Sequence, residues 1–535
     1  MNKIKKLLAI GLATVMAVSF ASCGKTVTHN GIEVPPVDEI EFPAELSIFC
    51  SKTASLLDNM PDYNSITSFK ALEEATGTHI NWTIPPGSGF EEKFNLMIAG
   101  GTLTDIVIAD WQSKGVETYI EDGVLFDMSP YAFEYMPNFT KFSKENPDFA
   151  RTYIYDGGKI YFTTYIRKDQ SLNVFTGPVM RTDWLKKLNL KTPETADELY
   201  NVLKAFKTQD PNGNGKADEI PMSVCGSGAD LGTTALFAMW NTKNDFYVKD
   251  GKVKYGILEP EFEDAITYVN KLYSEGLLDP DYILQTRATL VGKINDSRVG
   301  FAYEYQPSQI MTLQETKDPS FRFEGIPHFK SEIDGKNRTM DNAYTDSIVN
   351  RNGAITTACE DPFGAMKWLD FIYSEEGHKI MNFGIEGDTY NMVDGKVVFT
   401  DKVEKNTDGL TRSETWGKHF ATYNSYFPAI QDWDCYGQYL NKFGAQAIET
   451  WSKDVVTDMN LPKLTFSEAD TETIRNVYTA IQTYVAENVD KMIIGQVKTS
   501  KIPDIQKEIK ARGIDDIIAI YQKAYDTYMT KDIGF

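Results

Sequence analysis

Hydrophobic and polar positions follow two different periods in the first part of the folded body. The segments 45–51, 79–84 and 105–110 have the patterns of strands, and the last of them is almost continuously apolar. The segments 66–77 and 90–101 instead repeat apolar residues at helical spacing and end on glycine. This β-α-β-α-β order with short connections predicts a parallel, doubly wound sheet.

A second run of strand and helix patterns predicts a further α/β unit. The four residues 195–198 (TADE) form a capping box ahead of a helix with apolar residues at helical spacing. From about residue 436 onward the chain is mostly amphipathic helix, and no internal repeat is visible. Strand patterns occupy 159–166, 299–305 and 353–358, a strand leading into a helix occupies 174–185, and a helix with a glycine end occupies 263–282.

The first 22 residues have the pattern of a bacterial secretory signal. Three lysines precede an apolar stretch of 15 residues at 7–21, which is too short for an ordinary spanning helix. Cys23 follows directly, and FASC resembles a lipobox, in which the cysteine is diacylated and becomes the new N-terminus, although Phe20 stands where leucine is usual. The alternative is that Cys23 is incidental. We expect a lipid anchor at Cys23 and a polar, proline-rich tether over 23–44.

Composition excludes several classes of partner and site. The formal charge of −22 repels nucleic acid and anionic lipid, so we expect no nucleic acid partner and membrane contact only through the lipid anchor. The four remaining cysteines and the five histidines are scattered singly, which gives no zinc pattern, redox motif or cysteine–histidine signature. We expect most of these cysteines to be buried apolar residues: Cys50, Cys225, Cys359 and Cys435.

The segment 209–221 (QDPNGNGKADEIP) is a dense run of oxygen side chains and glycines. With Asp210 as position 1, side-chain oxygens fall at positions 1, 3, 5, 9 and 10, glycine at position 6, and the carbonyl of Lys216 at position 7. Pro221 stands at position 12, where an EF-hand-type loop has a bidentate glutamate, so Glu219 must take that role. The alternative is a solvated Asn-Gly turn. The spacing favours a structural Ca²⁺ site formed by Asp210, Asn212, Asn214, Lys216, Asp218 and Glu219.

The segment 181–221 resembles the central part of the extracellular solute-binding lipoproteins of ABC importers, in the family-1, carbohydrate-type group. Segments 91–110 and 382–400 are similar to two further parts of that family, and with the lipobox the similarity spans nearly the whole chain. Related members that bind oligosaccharides, alginate binders included, carry a calcium loop of this type, which braces one lobe and does not touch the ligand. The resemblance implies an oligosaccharide or other small solute as ligand and ABC permease subunits as partners. It also implies a lipid-anchored monomer on the extracellular face of the bacterial cell membrane.

The same resemblance implies an α/β, two-lobed, periplasmic-binding-protein-like fold with hinge crossovers and a helical C-terminal region. The two lobes would close around a ligand held in the cleft between them. On this chain we expect a signal peptide over 1–22, one lobe from 45–165 with 352–400, and a second lobe from 166–351 with 401–535.

Several aromatic and polar residues are candidates for contact with a sugar, since sugar sites pair aromatic rings with amide, carboxylate and guanidinium groups. Trp111 and Gln112 follow the strand 105–110 at its carboxyl end, where open α/β sheets hold ligands. For each residue taken singly a packing role is the simpler interpretation, and Trp184 is assigned to packing. The candidate contacts are Trp111, Gln112, Tyr165 in the predicted crossover, Arg181 from the family match, Trp240, and Tyr303, Glu304 and Tyr305 at the end of a strand.

Two other functions compete with solute binding. A cell-surface carbohydrate-active enzyme, such as a glycoside hydrolase, needs two carboxylates about 5–10 Å apart, which a chain with 76 acidic residues can supply. No GxSxG, HExxH, P-loop or GxGxxG motif in a strand–helix setting accompanies them. A dockerin-like scaffold partner would pair two calcium loops in a short module, and the sequence has one. The sequence favours a binding lipoprotein without catalytic residues.

Overall fold

The computed structural model describes residues 27–29, 32–52, 60, 62–112, 115–173, 176–225, 233–305, 320–340, 348–405, 409–424 and 427–535. The chain divides into two compact units, one ending at Glu41 and the other running Phe42–Phe535. The lipidation candidate Cys23 lies outside the described residues. None of the helices in the described ranges is long and apolar enough to cross a membrane.

The strands of the described chain match most of the predicted strand patterns, with boundaries shifted by a few residues. In chain order they are β1 (Val27–His29), β2 (Ile32–Val34), β3 (Glu45–Phe49), β4 (His79–Thr83), β5 (Ile106–Ala109), β6 (Thr163–Arg167), β7 (Thr176–Arg181), β8 (Ile220–Met222), β9 (Phe246–Lys249), β10 (Lys252–Tyr255), β11 (Val299–Tyr305), β12 (Phe323–Gly325), β13 (Ile348–Ile355), β14 (Tyr390–Val393), β15 (Lys396–Phe399) and β16 (Ala429–Gln431).

The helices begin and end largely where the caps predict. Gly77 and Gly101 end the first two helices in the left-handed conformation, at φ 72° and 64°, which glycine adopts without strain. Thr195 caps its helix by accepting a hydrogen bond from the Glu198 N–H. The α-helices are Thr67–Thr76, Phe90–Gly100, Val116–Glu121, Ala132–Tyr135, Pro137–Glu145, Pro147–Tyr153, Gln170–Asn173, Thr182–Lys187, Ala196–Thr208, Glu261–Ser274, Arg287–Asn295, Pro362–Phe371, Glu375–Phe383, Asp401–Glu404, Arg412–His419, Ala421–Asn424, Trp433–Tyr439, Lys442–Ser452, Glu468–Thr473, Thr479–Ile493, Ile502–Ala511 and Ile514–Thr530.

The first sheet has the spatial order β16-β6-β13-β5-β3-β4. Its β5-β3-β4 part is parallel, which confirms the β-α-β-α-β prediction for this region. Beyond these three strands the sheet is mixed, because β13 runs antiparallel to both β5 and β6. The reason lies in the connectivity: β13 enters this sheet after the chain has crossed to the second sheet, so it returns in the opposite direction.

The second sheet has the order β12-β7-β11-β8 and is also mixed. Strands β8 and β11 are parallel, whereas β7 is antiparallel to β11 and β12. Helices on this sheet share a large core that includes the fully buried side chains of Trp184, Phe206 and Phe262. Ile481, Ile509 and Ile517 from the C-terminal helices enter the same core, so the predicted helical C-terminal region packs with the second sheet.

The segment 401–431 differs from the expected domain arrangement, which assigned it to the second lobe. Strand β16 pairs in parallel with β6 of the first sheet. Val403, Trp416 and Phe420 are buried together with Phe383 and Phe399. Long-range burial of these apolar side chains, which the local sequence pattern does not report, places the segment with the first sheet. The other domain bounds stay predictions.

The predicted tether contains a short antiparallel hairpin. Strands β1 and β2 pair between Val27 and Val34, and Asn30 and Gly31, which connect them in the sequence, are the residue pair that most strongly favours a tight hairpin. Of the four cysteines, Cys50, Cys359 and Cys435 are buried and Cys225 is partly exposed.

Candidate ligand-binding edges and cation loop

Trp111 and Gln112 leave the first sheet at the carboxyl end of β5. The Trp111 ring is completely buried, donates its indole N–H to the Val107 carbonyl at 3.2 Å, and meets the Phe94 and Tyr119 rings edge-on. In this conformation Trp111 is therefore a core residue, and its contact with a sugar stays a prediction. Gln112 donates to a backbone carbonyl at 2.5 Å, whereas its own amide oxygen is buried without a hydrogen-bond partner.

Tyr165 lies on β6, the strand that leads from the first sheet toward the second. Its ring is buried, and its hydroxyl donates to the Thr422 carbonyl at 2.8 Å. This contact ties the crossover strand to the segment 401–431.

Arg181 ends β7 in a packed, paired environment. Its guanidinium makes two hydrogen bonds to Asp183, at 2.8 and 2.6 Å, and lies 4.5 Å from the Trp184 ring centre and 4.3 Å from that of Phe321. Trp184 in turn meets Phe206 edge-on at 5.2 Å, which confirms its predicted packing role. The Arg181 guanidinium is thus paired and packed within the protein, so its contact with a ligand stays a prediction.

The remaining aromatic candidates belong to the second sheet and its helices. Trp240 ends the 3₁₀ helix Thr233–Trp240 and packs on Tyr268 at 5.1 Å, and Tyr303 on β11 is 8% exposed. The side chains of Glu304 and Tyr305 lie outside the described residues. The structure thus divides the candidates between the two sheets: Trp111, Gln112 and Tyr165 with the first, and Arg181, Trp240 and Tyr303 with the second.

Two crossovers between the sheets contact each other. The helix Gln170–Asn173 connects β6 to β7, and the segment after β16 returns toward β7 and β12. The Asp169 carboxylate accepts a hydrogen bond from the Trp433 N–H at 3.2 Å, and the hydroxyls of Ser171 and Ser452 lie 3.2 Å apart. Burial raises the pKa of Asp169. Because only short segments connect the sheets here, this is where a change in their relative orientation would be absorbed.

A polar network that the sequence analysis missed lies at the carboxyl end of β8. The Ser223 hydroxyl donates to Asp279 at 2.6 Å, and Lys293 pairs with the same carboxylate at 2.6 Å. Gln285 donates to the Ser223 oxygen at 2.7 Å. The available signal was the position of Ser223 directly after a strand, by the same rule that selected Trp111. Asp279, Gln285 and Lys293 carry no such local signal.

The loop at 210–219 is closed by hydrogen bonds among its own groups. Asp210 accepts from the N–H groups of Gly213, Asn214 and Gly215 at 2.9–3.1 Å. The side-chain amides of Asn212 and Asn214 both donate to one Asp218 oxygen, at 3.2 and 3.0 Å. The bond from Asn214 is the main reason that the pKa of Asp218 is lowered. The loop is thus held together by hydrogen bonds among its own side chains and backbone.

Glu219 provides the test of whether this loop suits a cation. Its Oε1 atom is buried without a hydrogen-bond partner, and burial, followed by the charges of Asp210 and Asp218, raises its pKa. A bound cation would give the buried Glu219 oxygen a partner and would offset the repulsion from Asp210 and Asp218. Rotation of the side-chain amides of Asn212 and Asn214 would turn their oxygens toward the cation. In the described part of the chain, no group of three or more histidine, cysteine or acidic side chains is placed to hold a metal. A cation here would therefore need the amide and backbone oxygens as well, and the residues present fit such a site.

A separate surface groove lies between the helices Thr67–Thr76 and Glu375–Phe383. Its walls carry Glu74, Glu376 and Glu386. The predicted ligand contacts do not line it, so it adds nothing to the candidate ligand site.

Residues 59–379 match the family of bacterial extracellular solute-binding proteins. The chain belongs to this family. It is 26% identical to the fructooligosaccharide ABC transporter substrate-binding protein FusA of Streptococcus pneumoniae serotype 4 (strain ATCC BAA-334 / TIGR4), over 97% of each chain. It is 27% identical to the lipoprotein LipO of Bacillus subtilis (strain 168), over 99% of this chain and 97% of LipO.

The solved structure of the alginate-binding protein AlgQ2, determined without calcium ion, superposes with a TM-score of 0.64 at 25% identity, covering 91% of this chain and 98% of AlgQ2. These matches confirm the predicted α/β, periplasmic-binding-protein-like fold and the solute-binding family inferred from the sequence. Members of this family are components of transport systems, and the glycoside hydrolase alternative receives no support from them.

Proposed function

We propose that this protein captures an oligosaccharide outside the cell and delivers it intact to the permease of an ABC importer. The observation that carries the proposal is the similarity to FusA along 97% of both chains, because it includes both sheets and the crossovers between them. AlgQ2, whose fold this chain shares, binds another saccharide, alginate. We therefore expect an oligosaccharide rather than a monosaccharide, bound at one site per chain.

The structure supports a capture mechanism with closure around the ligand. Each sheet ends its parallel strands at a carboxyl edge, where α/β sheets hold ligands. The sheets are connected through crossovers that contact each other near Asp169 and Trp433. A saccharide that contacts both edges would bind the closed arrangement more tightly than the open one, so ligand would shift the population toward closure. A permease can then distinguish loaded from empty protein by shape.

Calorimetric titration of the purified protein with fructooligosaccharides and alginate oligosaccharides, and with maltooligosaccharides for comparison, tests this proposal. We expect saturable binding of at least one series at about one saccharide per chain and a smaller radius of gyration in solution scattering. The saccharide should be recovered unchanged after prolonged incubation. Failure of every series to bind would contradict the proposal, and release of reducing ends would instead support a hydrolase.

A structural Ca²⁺ in the loop at 210–219 is part of this proposal. The side chains of Asp210, Asn212, Asn214, Asp218 and Glu219 would hold the ion together with the Lys216 carbonyl, which is the all-oxygen set that calcium prefers. The partnerless Glu219 oxygen supports this assignment. Because the loop's ligands would all be used by the ion, it would brace the second sheet and take no part in ligand chemistry.

We place the protein on the outer face of the cell membrane, held as a monomer by diacylated Cys23. The relative LipO is a lipoprotein, which supports the anchor. Two acyl chains bury enough CH₂ groups, at about 0.8 kcal/mol each, for stable attachment. Cys23→Ala should abolish labelling by a radioactive fatty acid and release the protein from the membrane fraction. Equal labelling of variant and native protein would contradict the anchor.

A further inference from the structure

A buried glutamine beside the carboxyl end of β8 has an unused hydrogen-bond acceptor. Gln285 is 7% exposed, and its Oε1 atom is buried without a hydrogen-bond partner. A buried carbonyl oxygen without a partner is unfavourable, so a native protein that keeps one needs a reason for it.

The orientation of this amide is determined by its neighbours. Asp279, paired with Lys293, accepts the Ser223 hydroxyl proton at 2.6 Å, which leaves the Ser223 oxygen free to accept from Gln285 Nε2 at 2.7 Å. The second Nε2 proton goes to the Val224 carbonyl at 2.8 Å. Rotating the amide by 180° would place Oε1 against that carbonyl, and two acceptors repel. The network therefore holds Oε1 in one direction.

Gln285 lies between two exposed residues of the chain and beside the carboxyl end of β8. Its neighbours Leu284 and Thr286 are both exposed, and Leu284 is 88% exposed, an extreme value for a leucine. The Gln285 amide is hydrogen-bonded to Ser223 and Val224, which leave β8 at its carboxyl end. An apolar side chain beside an oriented acceptor suits a molecule with apolar faces and hydroxyl groups.

We propose that Gln285 is a ligand-contacting residue whose Oε1 accepts a hydrogen bond from a hydroxyl group of the captured saccharide, with Leu284 beside it against an apolar ring face. This inference rests on the proposed function and extends it to a subsite on the second sheet. Because the acceptor is satisfied only when that hydroxyl is present, Gln285 selects against saccharides that lack it. Ser223, Asp279 and Lys293 are positioning residues that act through Gln285.

The test compares Gln285→Met with the matched control Gln506→Met by calorimetric titration, with the fructooligosaccharide or alginate oligosaccharide that the native protein binds best. Both variants remove an amide that donates to a backbone carbonyl, since Gln506 donates to the Ile257 carbonyl at 2.8 Å. Both should therefore melt at a slightly lower temperature than the native protein. We expect Gln285→Met to weaken binding about three- to tenfold, the net effect of one neutral hydrogen bond, and Gln506→Met to leave the affinity unchanged.

The outcomes separate this inference from the proposed function. If the native protein binds and Gln285→Met binds equally well, the inference is wrong while the proposed function stands. If no saccharide binds to the native protein, both are wrong. A crystal structure of the native protein with the same saccharide requires no variant and decides the matter even if Gln285→Met does not fold. A saccharide hydroxyl within hydrogen-bond distance of Oε1 supports the inference, and a water molecule or a protein atom in that place overturns it.

Discussion

The loop at 210–219 and the network around Ser223 are both clusters of polar side chains on the second sheet, but they are assembled over different distances along the chain. In the loop, Asp210, Asn212 and Asp218 make their hydrogen bonds within ten residues of sequence. In the network, Ser223 meets Asp279 across 56 residues and Gln285 across 62.

The two clusters also differ in burial. The loop's side chains are half-buried or exposed, whereas Asp279, Ser223 and Gln285 are buried. Water can replace a lost hydrogen bond in the loop, but it cannot do so readily in the network. The comparison indicates that substitutions in the network act mainly on folding and ligand affinity, whereas substitutions in the loop act mainly through the bound cation.

Removal of the central carboxylate of the network should have the largest effect. Asp279→Ala leaves Lys293 without its closest partner and the buried Ser223 hydroxyl without an acceptor. We expect the free energy of unfolding to fall by about 3 kcal/mol, as when one partner of a buried ion pair is lost. Urea denaturation followed by circular dichroism measures this loss. The control is Glu375→Ala, which removes an exposed ion pair with Lys379 and should change the free energy of unfolding little. An equally small loss for Asp279→Ala would contradict the structural role of the network.

Removal of calcium should have the next largest effect, and it should lower stability through the loop without abolishing saccharide binding. A cation that binds only the folded loop adds about 2.7 kcal/mol at a hundredfold excess over its Kd. Chelation should lower the melting temperature while saccharide binding persists, and Asp210→Ala should make the protein insensitive to chelator. Asp394→Ala is a matched control, because Asp210 and Asp394 both have a positive φ, 45° and 51°, and share the backbone strain of the substitution. If native protein contains no calcium and chelator shifts nothing, the loop is an ordinary turn.

The smallest expected effect is the dependence of calcium stabilisation on pH. Because the pKa of Glu219 is raised in the folded protein, its protonated form stabilises the metal-free protein. This stabilisation is complete at pH values below the usual pKa of a glutamate and is lost as the pH rises through the raised pKa. Calcium binds the ionised carboxylate, so the stabilisation by calcium should grow over the same pH interval. Melting curves with and without calcium across pH 4–8 measure it, and Glu219→Gln should flatten the dependence. An unchanged profile in Glu219→Gln would exclude Glu219 as a calcium ligand.

The comparison also explains which predictions from the sequence succeeded. The helices Thr67–Thr76 and Phe90–Gly100 and the strands β3, β4 and β5 were predictable, because periodicity and glycine caps act within one or two turns of chain. The spacing of oxygens in the loop is equally local. The antiparallel direction of β13 and the placement of 401–431 with the first sheet depend on where the chain returns after crossing between sheets, which no local pattern encodes.

By itself the sequence determined the family, the α/β class, most elements and the position of the candidate cation loop, because each depends on residue types at short, regular spacing. Only the tertiary structure decided that Trp111 is buried in a core, that the Arg181 guanidinium lies against the Phe321 ring, and that Gln285 has an oriented acceptor beside β8. These properties arise when residues far apart in the chain are brought into contact and excluded from water. Burial and hydrogen-bond satisfaction are properties of a neighbourhood in space, and a linear pattern does not specify that neighbourhood.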